Sequence, residues 1–254
     1  MARRAAEPKP HQVNGKEAAF YGSILSLLNR RKIPYLVGGA FAVNSYTGMN
    51  RNTKDVDIFC RAGDYPRILK AAADAGHATE VEDERWIAKI RKGEYFCDVI
   101  FGSANLISPV TEQWFGQKFP FTLFGVRVNL LPPTELIWSK SFIMDRIKFD
   151  GNDIAHVMLM QRKHIDWKRL LSYMDLHWEV LLFHLIRFRY IYPFARTAVP
   201  EWVLDELLAR EQLQRSMPLP RKKACRGRIF SRDDFEIDIS SWGFADAVGD
   251  DKFP

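Results

Sequence analysis

Cysteine is scarce in this chain, and long hydrophobic runs are missing. The 254 residues include only three cysteines, which are far apart and form no Cys-x-x-Cys pair. This pattern argues against a disulfide framework. No stretch approaches the roughly 18 consecutive apolar residues of a membrane span, and the basic start of the chain has no apolar segment of the secretory type. The sequence therefore predicts a cytoplasmic protein that makes no contact with a membrane.

Histidine motifs of the zinc type, internal repeats and low-complexity tracts are missing as well. What remains is the composition of an ordinary globular protein, with 47% hydrophobic and 27% charged residues. A chain of this length forms one sizeable domain or two small ones. The formal net charge of +6 suits a substrate that carries phosphate groups.

Apolar periodicity divides the chain into a mixed half and a helical half. The first half alternates helical and strand patterns, and a hairpin is predicted around Lys92-Gly93-Glu94. After Pro132-Pro133 the pattern becomes mostly helical. We therefore predict an α+β fold, with a small mixed sheet followed by a mainly helical C-terminal region. The predicted parts are a disordered basic arm at 1–14, an α/β core at 15–131, a helical domain at 132–215, and a basic linker and tail at 216–254.

The individual elements follow from the same patterns. In the first half, helices are predicted at 16–31, 40–46 and 65–75, and strands at 33–37, 55–60, 86–91, 95–101, 119–124 and 126–130. In the second half, helices are predicted at 135–147, 153–161, 167–176, 179–192 and 201–215. The acidic tail from residue 233 onward is expected to pack back as a short element.

Three aspartates stand in strand patterns where a carboxylate needs a partner. Asp55 and Asp57 are two residues apart, so their side chains share one face of a strand. Asp98 is the one acidic residue in an otherwise apolar strand. If the two strands are neighbours, the three carboxylates meet, and a hard cation such as Mg²⁺ removes their mutual repulsion. The alternatives are a surface turn at Asp55 and Asp57, and a wet hairpin strand at Asp98.

A glycine pair and a polar loop precede the first aspartate. Gly38-Gly39 separates a predicted strand from a predicted helix, and such a turn presents backbone amides to bound phosphates. Ser45 on that helix is a candidate phosphate contact. Arg51 and Thr53 could contact triphosphate oxygens, Arg51 through a bidentate guanidinium grip. The alternatives are a tight turn without a ligand and an ordinary polar loop.

Taken together, these residues resemble the motif of the DNA polymerase β-type nucleotidyltransferase superfamily. That motif is Gly-Gly or Gly-Ser, a helix, Asp-x-Asp, and a third carboxylate on a neighbouring strand. The resemblance implies that Asp55, Asp57 and Asp98 hold Mg²⁺ or Mn²⁺ on a nucleoside triphosphate such as ATP, CTP or GTP. It also implies transfer of a nucleoside monophosphate to an acceptor, with release of pyrophosphate by a two-metal mechanism.

Within that superfamily the sequence looks most like the bacterial AbiEii-type group, which includes toxins of toxin–antitoxin pairs. The similar phrases are Gly38-Gly39-Ala40-Phe41-Ala42 and Glu135-Leu136-Ile137-Trp138-Ser139-Lys140. The resemblance implies that Lys140 contacts the triphosphate, that Asp150 and Asp153 support the site, and that an antitoxin is a partner. The alternative is a solvated Lys140, with the two aspartates capping the next helix.

The acceptor stays open at this stage. RNA, a protein hydroxyl and a small molecule all fit, and the basic run Arg221-Lys222-Lys223 slightly favours RNA. The interpretation that this run by itself favours is a solvated linker. The alternative function is a catalytically inactive module of the same fold that binds nucleotides or nucleic acid.

Overall fold

The computed structural model describes residues 13–248, and contacts within the chain group it into two compact units, Met1–Leu136 and Ile137–Pro254. Most of the predicted N-terminal arm, residues 1–12, lies outside the described residues, as do residues 249–254 of the predicted tail. Asn14, the last residue of that predicted arm, is the N-cap of the first helix and accepts a hydrogen bond from the Glu17 amide at 2.8 Å. The predicted fold class, a mixed sheet followed by a mainly helical region, is confirmed.

A five-stranded mixed sheet forms the centre of the first unit. Its spatial order is β1-β2-β5-β4-β3, and β2 and β5 run parallel whereas the other neighbours are antiparallel. The strands are β1 Leu36–Val37, β2 Asp55–Phe59, β3 Ala78–Asp83, β4 Ile87–Lys92 and β5 Tyr95–Ile100. The helices of this unit are α1 Gly15–Arg30, α2 Gly39–Thr47 and α3 Tyr65–Asp74.

The sequence explains where these elements begin and end. Helix α1 starts at the Asn14 cap and buries an apolar stripe that includes Phe20, Ile24 and Leu28. Helix α2 ends at Gly48, which takes the left-handed conformation at φ 72°. A second ribbon, β6 Pro120–Leu123 and β7 Val126–Asn129, turns at Phe124-Gly125.

Strand β3 has no counterpart among the sequence predictions. Residues Ala78 to Glu82 are all exposed, so this edge strand shows no apolar alternation. It forms because its backbone pairs with β4, where Glu80 lies opposite Lys89. Exposed charged residues on an edge strand also discourage pairing with other chains.

Helices dominate the second unit, although one of them is shorter than expected. Helix α4, Pro133–Lys140, begins in the first unit and ends in the second. The helix predicted at 135–147 is therefore wrong beyond Lys140. The apolar spacing continues to Ile147, but that side chain is 99% exposed. Beyond the end of α4 the chain turns at Asp145, whose carboxylate accepts hydrogen bonds from the Ile147 and Lys148 amides.

The remaining helices follow the predicted order, and the C-terminal segment is more structured than predicted. The helices are α5 Gly151–Gln161, α6 Trp167–Tyr173, α7 Trp178–Ile191, α8 Glu201–Ser216 and α9 Glu236–Ser240. Two short strands, β8 Ala224–Cys225 and β9 Ala245–Asp246, pair in parallel within the predicted linker and tail. Arg228, in the predicted linker, forms an ion pair with Asp246 at 2.8 Å. Across 13–248 no helix has both the length and the apolar character that a membrane crossing requires.

Candidate functional site

The pairing of β2 with β5 brings the three aspartates to one face of the sheet. In the parallel register Asp57 lies beside Asp98, and Asp55 lies beside Phe96. Neighbours in register project to the same side, and so do residues two apart on one strand. The strands are about 4.8 Å apart at such a pair. The carboxylates of Asp55, Asp57 and Asp98 therefore share one surface.

The opposite face of the same strands is hydrophobic core. Val56 and Ile58 on β2, and Cys97 and Val99 on β5, are all almost fully buried. This alternation fixes the register, because a slip by one residue would place carboxylates in the core. The apolar residues thus determine that the aspartates face outward together.

Asp98 is the most constrained of the three carboxylates. It is 9% exposed, and its Oδ1 atom is buried without a hydrogen-bond partner among the described residues. Burial raises the pKa of Asp98 to about 6; the Lys89 ammonium opposes this rise and the Asp55 carboxylate adds to it. A buried acidic oxygen without a donor favours a bound cation or a bound proton.

The glycine turn lies directly against this cluster. The Gly38 amide donates to the Asp57 carbonyl at 2.9 Å, and α2 begins at the next residue. Gly39 has a positive φ of 53°, and a Cβ at this position would overlap Asp57 Oδ2. Only glycine lets the backbone come this close to the carboxylate. The N-terminus of α2 and the aspartate face are therefore immediate neighbours.

The other predicted contacts are held by local hydrogen bonds. The Ser45 hydroxyl donates to the Phe41 carbonyl at 2.7 Å, within α2. Thr53 Oγ1 donates to Asp55 Oδ1 at 3.0 Å, so Thr53 orients a carboxylate. The Arg51 side chain is exposed. The assignment of Ser45, Arg51 and Thr53 to phosphate contacts stays a prediction.

Sequence reasoning missed two residues that organise the site. Asn44 is buried on α2; its side-chain amide donates to the Arg51 carbonyl at 2.8 Å and fixes the loop before β2. Lys89 on β4 lies opposite Asp98, with its ammonium 3.8 Å from Asp98 Oδ1. The predicted hairpin contains a signal for Lys89. The turn pairs Lys92 with Tyr95, and three residues further along each strand Lys89 lies opposite Asp98.

The donor set fits a hard divalent cation. All the candidate ligands are carboxylate oxygens, and Asp98 Oδ1 is buried without a hydrogen-bond donor in the described chain. Within residues 13–248, no group of three or more acidic, histidine or cysteine side chains is arranged so that it could hold a metal ion. Mg²⁺ does not need one, because it commonly takes one or two carboxylates and completes its shell with water and substrate phosphates.

Asp98→Asn is expected to stabilise the metal-free protein relative to the wild type at pH 7.5, by about 1–2 kcal/mol after allowance for Lys89 and nearby solvent. The folded-state pKa of about 6 lies above the unfolded value. The protonated Asp98 carboxyl group therefore contributes its full stabilisation to the wild type below about pH 4. This stabilisation is lost as the pH rises through about 6. Urea unfolding with a chelator at pH 4.5 and 7.5 measures the difference. If the substitution changed the unfolding free energy equally at both pH values, the raised pKa of Asp98 would be contradicted. Asp74→Asn, at an exposed position of α3, serves as the control.

Lys140, the predicted contact in the helical half, is buried in an ionic cluster of the second unit. Its ammonium lies 2.5 Å from Asp150 Oδ2 and 3.0 Å from Asp153 Oδ2, and all three side chains are nearly excluded from solvent. Burial alone lowers the pKa of Lys140, but the two carboxylates outweigh it and the net shift is upward. Lys140 is therefore not the solvated lysine of the alternative interpretation. Its contact with triphosphate stays a prediction.

Lys140→Met is expected to destabilise the protein by about 3–5 kcal/mol, because it leaves two carboxylates buried without their counter-ion. Urea unfolding at neutral pH measures this loss. Lys163→Met is the matched control, since Lys163 is an exposed lysine in the same unit. A loss below about 1 kcal/mol, typical of surface ion pairs, would contradict the buried cluster.

No protein-family model matches the sequence, and comparison with curated proteins finds no significant match. Solved structures give partial likenesses. The antibiotic-resistance factor ANT(2'')-Ia in solution is 14% identical with a TM-score of 0.44, over 72% of this chain and 96% of that one. The lincomycin-bound lincosamide antibiotic adenylyltransferase LnuA is 21% identical with a TM-score of 0.40, over 57% and 96%.

A third similar structure is a tRNA nucleotidyltransferase complexed with a primer tRNA and an incoming ATP analog. It is 14% identical with a TM-score of 0.28, over 75% of this chain and 68% of that one. The similar structures thus include nucleotidyltransferases. At these low values the likeness does not assign the chain to a family.

Proposed function

We propose that this protein is a nucleotidyltransferase that moves a nucleoside monophosphate from a nucleoside triphosphate to an acceptor and releases pyrophosphate. One observation supports this function above all. Asp55 and Asp57 on β2 share a sheet face with Asp98 on the adjacent parallel strand, next to a glycine turn and a helix N-terminus. Carboxylates for a cation and amides for phosphates are the two elements that phosphoryl transfer requires.

Asp55 and Asp57 are the proposed ligands of Mg²⁺ or Mn²⁺. When bound there, a divalent ion would neutralise the charge that develops on the phosphate oxygens and would activate the attacking oxygen. Thr53 keeps Asp55 in place through its hydroxyl, and Gly39 leaves room for the Asp57 carboxylate. Thr53 and Gly39 thus position the carboxylate oxygens of Asp55 and Asp57 before the reaction begins.

Asp98 is the third proposed ligand of the divalent ion, and its carboxylate also accepts the proton of the acceptor hydroxyl. Burial disfavours its charged form, so the carboxylate has a higher proton affinity than an ordinary aspartate. Without a cation, its pKa of about 6 leaves it mostly ionised at neutral pH, and a bound divalent ion would lower that pKa and keep the carboxylate charged.

The phosphates are proposed to lie at the Gly38-Gly39 turn. A helix N-terminus attracts anions through the helix dipole and its backbone amides, and α2 begins at this turn. Arg51 is proposed to grip the outer phosphates, because its exposed guanidinium stands on a loop fixed by Asn44. Ser45 is the weaker candidate, since reaching a phosphate requires it to give up its bond within α2.

The acceptor class and the cellular role belong to the same proposal. RNA, a protein hydroxyl and a small molecule are the acceptors to be tested, and ATP, CTP and GTP are the donors. The sequence resemblance to AbiEii-type proteins supports a cytoplasmic toxin with an antitoxin partner and a triphosphate contact from Lys140.

Transfer of a radioactive label tests the function. The full chain is incubated with Mg²⁺, total cell RNA or protein, and triphosphates labelled at the α or the γ phosphate. Label from the α position is expected in the acceptor, and label from the γ position is expected in pyrophosphate. Nucleotide binding without transfer would indicate an inactive module instead, and absence of both would refute a nucleotide-dependent function.

A further inference from the structure

Lys89 continues the row of charges that crosses the sheet. Asp57 on β2 lies beside Asp98 on β5, and Asp98 lies beside Lys89 on β4. All three side chains project from the same face of the sheet. Lys89 is therefore the basic side chain that lies directly beside Asp98 in the register of the strands. Its side chain is 16% exposed, with the ammonium 5.0 Å from the centre of the Phe96 ring.

Two carboxylates compete for this ammonium. Lys89 Nζ lies 2.6 Å from Glu82 Oε2, a direct ion pair, and 3.8 Å from Asp98 Oδ1, beyond hydrogen-bond range. Asp98 Oδ1 is the buried oxygen that lacks a hydrogen-bond partner in the described chain. Lysine has a flexible stem, so a small rotation would bring its ammonium onto Asp98. The Glu82 carboxylate, on edge strand β3, holds the ammonium of Lys89 away from Asp98.

We propose that Lys89 is a positioning residue that competes with the divalent cation for Asp98, and that Glu82 tunes this competition by holding the ammonium back. The inference rests on the proposed function, because it assigns a metal-facing role to Asp98. In the metal-free protein Lys89 partly neutralises the aspartate face. When a cation binds, the Glu82 carboxylate retains the ammonium and Oδ1 stays accessible. Metal affinity is thereby set by a pair of residues that do not themselves bind the metal.

A neighbouring ion pair provides matched controls. Arg91 is two residues from Lys89 on β4 and faces the same way, and its Nε lies 3.1 Å from Glu80 Oε2 on β3. Glu80 is likewise two residues from Glu82. Changes at Arg91 and Glu80 alter the same net charge on the same face without touching Asp98. Comparing these changes with those at Lys89 and Glu82 separates the effect of the Lys89–Asp98 contact from the effect of the overall charge of the surface.

Direct measurement of Mn²⁺ binding to the full chain by electron paramagnetic resonance tests the inference without any turnover. Lys89→Met is expected to tighten Mn²⁺ binding by about tenfold, because an opposing charge near the ligand is removed. Glu82→Gln is expected to weaken it by roughly three- to tenfold. In the Lys89→Met background, Glu82→Gln is expected to have a much smaller effect, because Glu82 then has no ammonium to hold and acts on Asp98 only through its own charge. Lys89→Arg should bind Mn²⁺ close to the wild-type value.

Several results would overturn the inference. One is an equal effect of Arg91→Met and Lys89→Met on Mn²⁺ binding. Another is a Glu82→Gln effect that is as large without Lys89 as with it. If Lys89→Met does not fold, the comparison of Glu82→Gln with Glu80→Gln still decides, and equal effects of these two refute the role of Glu82. Failure of the proposed function looks different. In that case the wild type shows no Mn²⁺ binding that Asp57→Asn removes, whatever the residue at position 89.

Discussion

Asp57→Asn is expected to lower the rate of nucleotidyl transfer by about 10³-fold or more. Asparagine keeps the shape that fits against Gly39, so the turn and the strand register are preserved. It removes the charge that attracts the cation, and with it the electrostatic stabilisation of the phosphates. Transfer of α-label at saturating triphosphate measures the effect.

The matched control for this change is Asp74→Asn, which removes an exposed carboxylate from α3 of the same unit. It is expected to leave the rate unchanged. The unfolding free energy of both variants should stay near that of the wild type. If Asp57→Asn retained more than about a tenth of the wild-type rate, metal binding at β2 could not be the source of catalysis.

Gly39→Ala is expected to reduce transfer by about 100-fold or more, through displacement of Asp57 rather than loss of any charge. A Cβ at this position would overlap Asp57 Oδ2, and the backbone has a positive φ of 53°. Either the carboxylate or the turn must therefore move. Backbone strain adds a stability loss of about 1–3 kcal/mol.

Gly93→Ala separates strain from displacement. Gly93, in the turn between β4 and β5, also has a positive φ, at 60°, but a Cβ there meets no atom within 4 Å. Both variants should lose stability in urea unfolding, and only Gly39→Ala should lose activity. Equal activity in the two variants would show that the close approach of Gly39 to Asp57 has no catalytic importance.

Much of the fold could be predicted because its patterns are local. The alternation in Asp55-Val56-Asp57-Ile58 predicts a strand with one buried face, and the structure has it at β2. The turn at Gly93-Glu94 is a hairpin signal, and it joins β4 to β5. The grouping of three aspartates required one further assumption, namely that the strands are neighbours, and the parallel register supplies it.

The remainder depended on contacts that no local pattern contains. Strand β3 is exposed and mostly polar, so its own sequence has no strand pattern. It forms through its pairing with β4. The apolar spacing continues past the end of α4, but the chain there turns at Asp145, whose carboxylate accepts hydrogen bonds from two following amides. Lys89 becomes important through its register with Asp98, nine residues away across a hairpin, and through Glu82 on the strand beyond.

A crystal structure with Mn²⁺ and a non-hydrolysable nucleoside triphosphate would show where the cation and the phosphates bind. We expect an anomalous Mn²⁺ peak in contact with carboxylate oxygens of Asp55 and Asp57, with the phosphates at the Gly38-Gly39 turn. Asp98 Oδ1 should face the same ion or the position of the acceptor. A triphosphate bound elsewhere, with no ion on the β2 aspartates, would contradict the account.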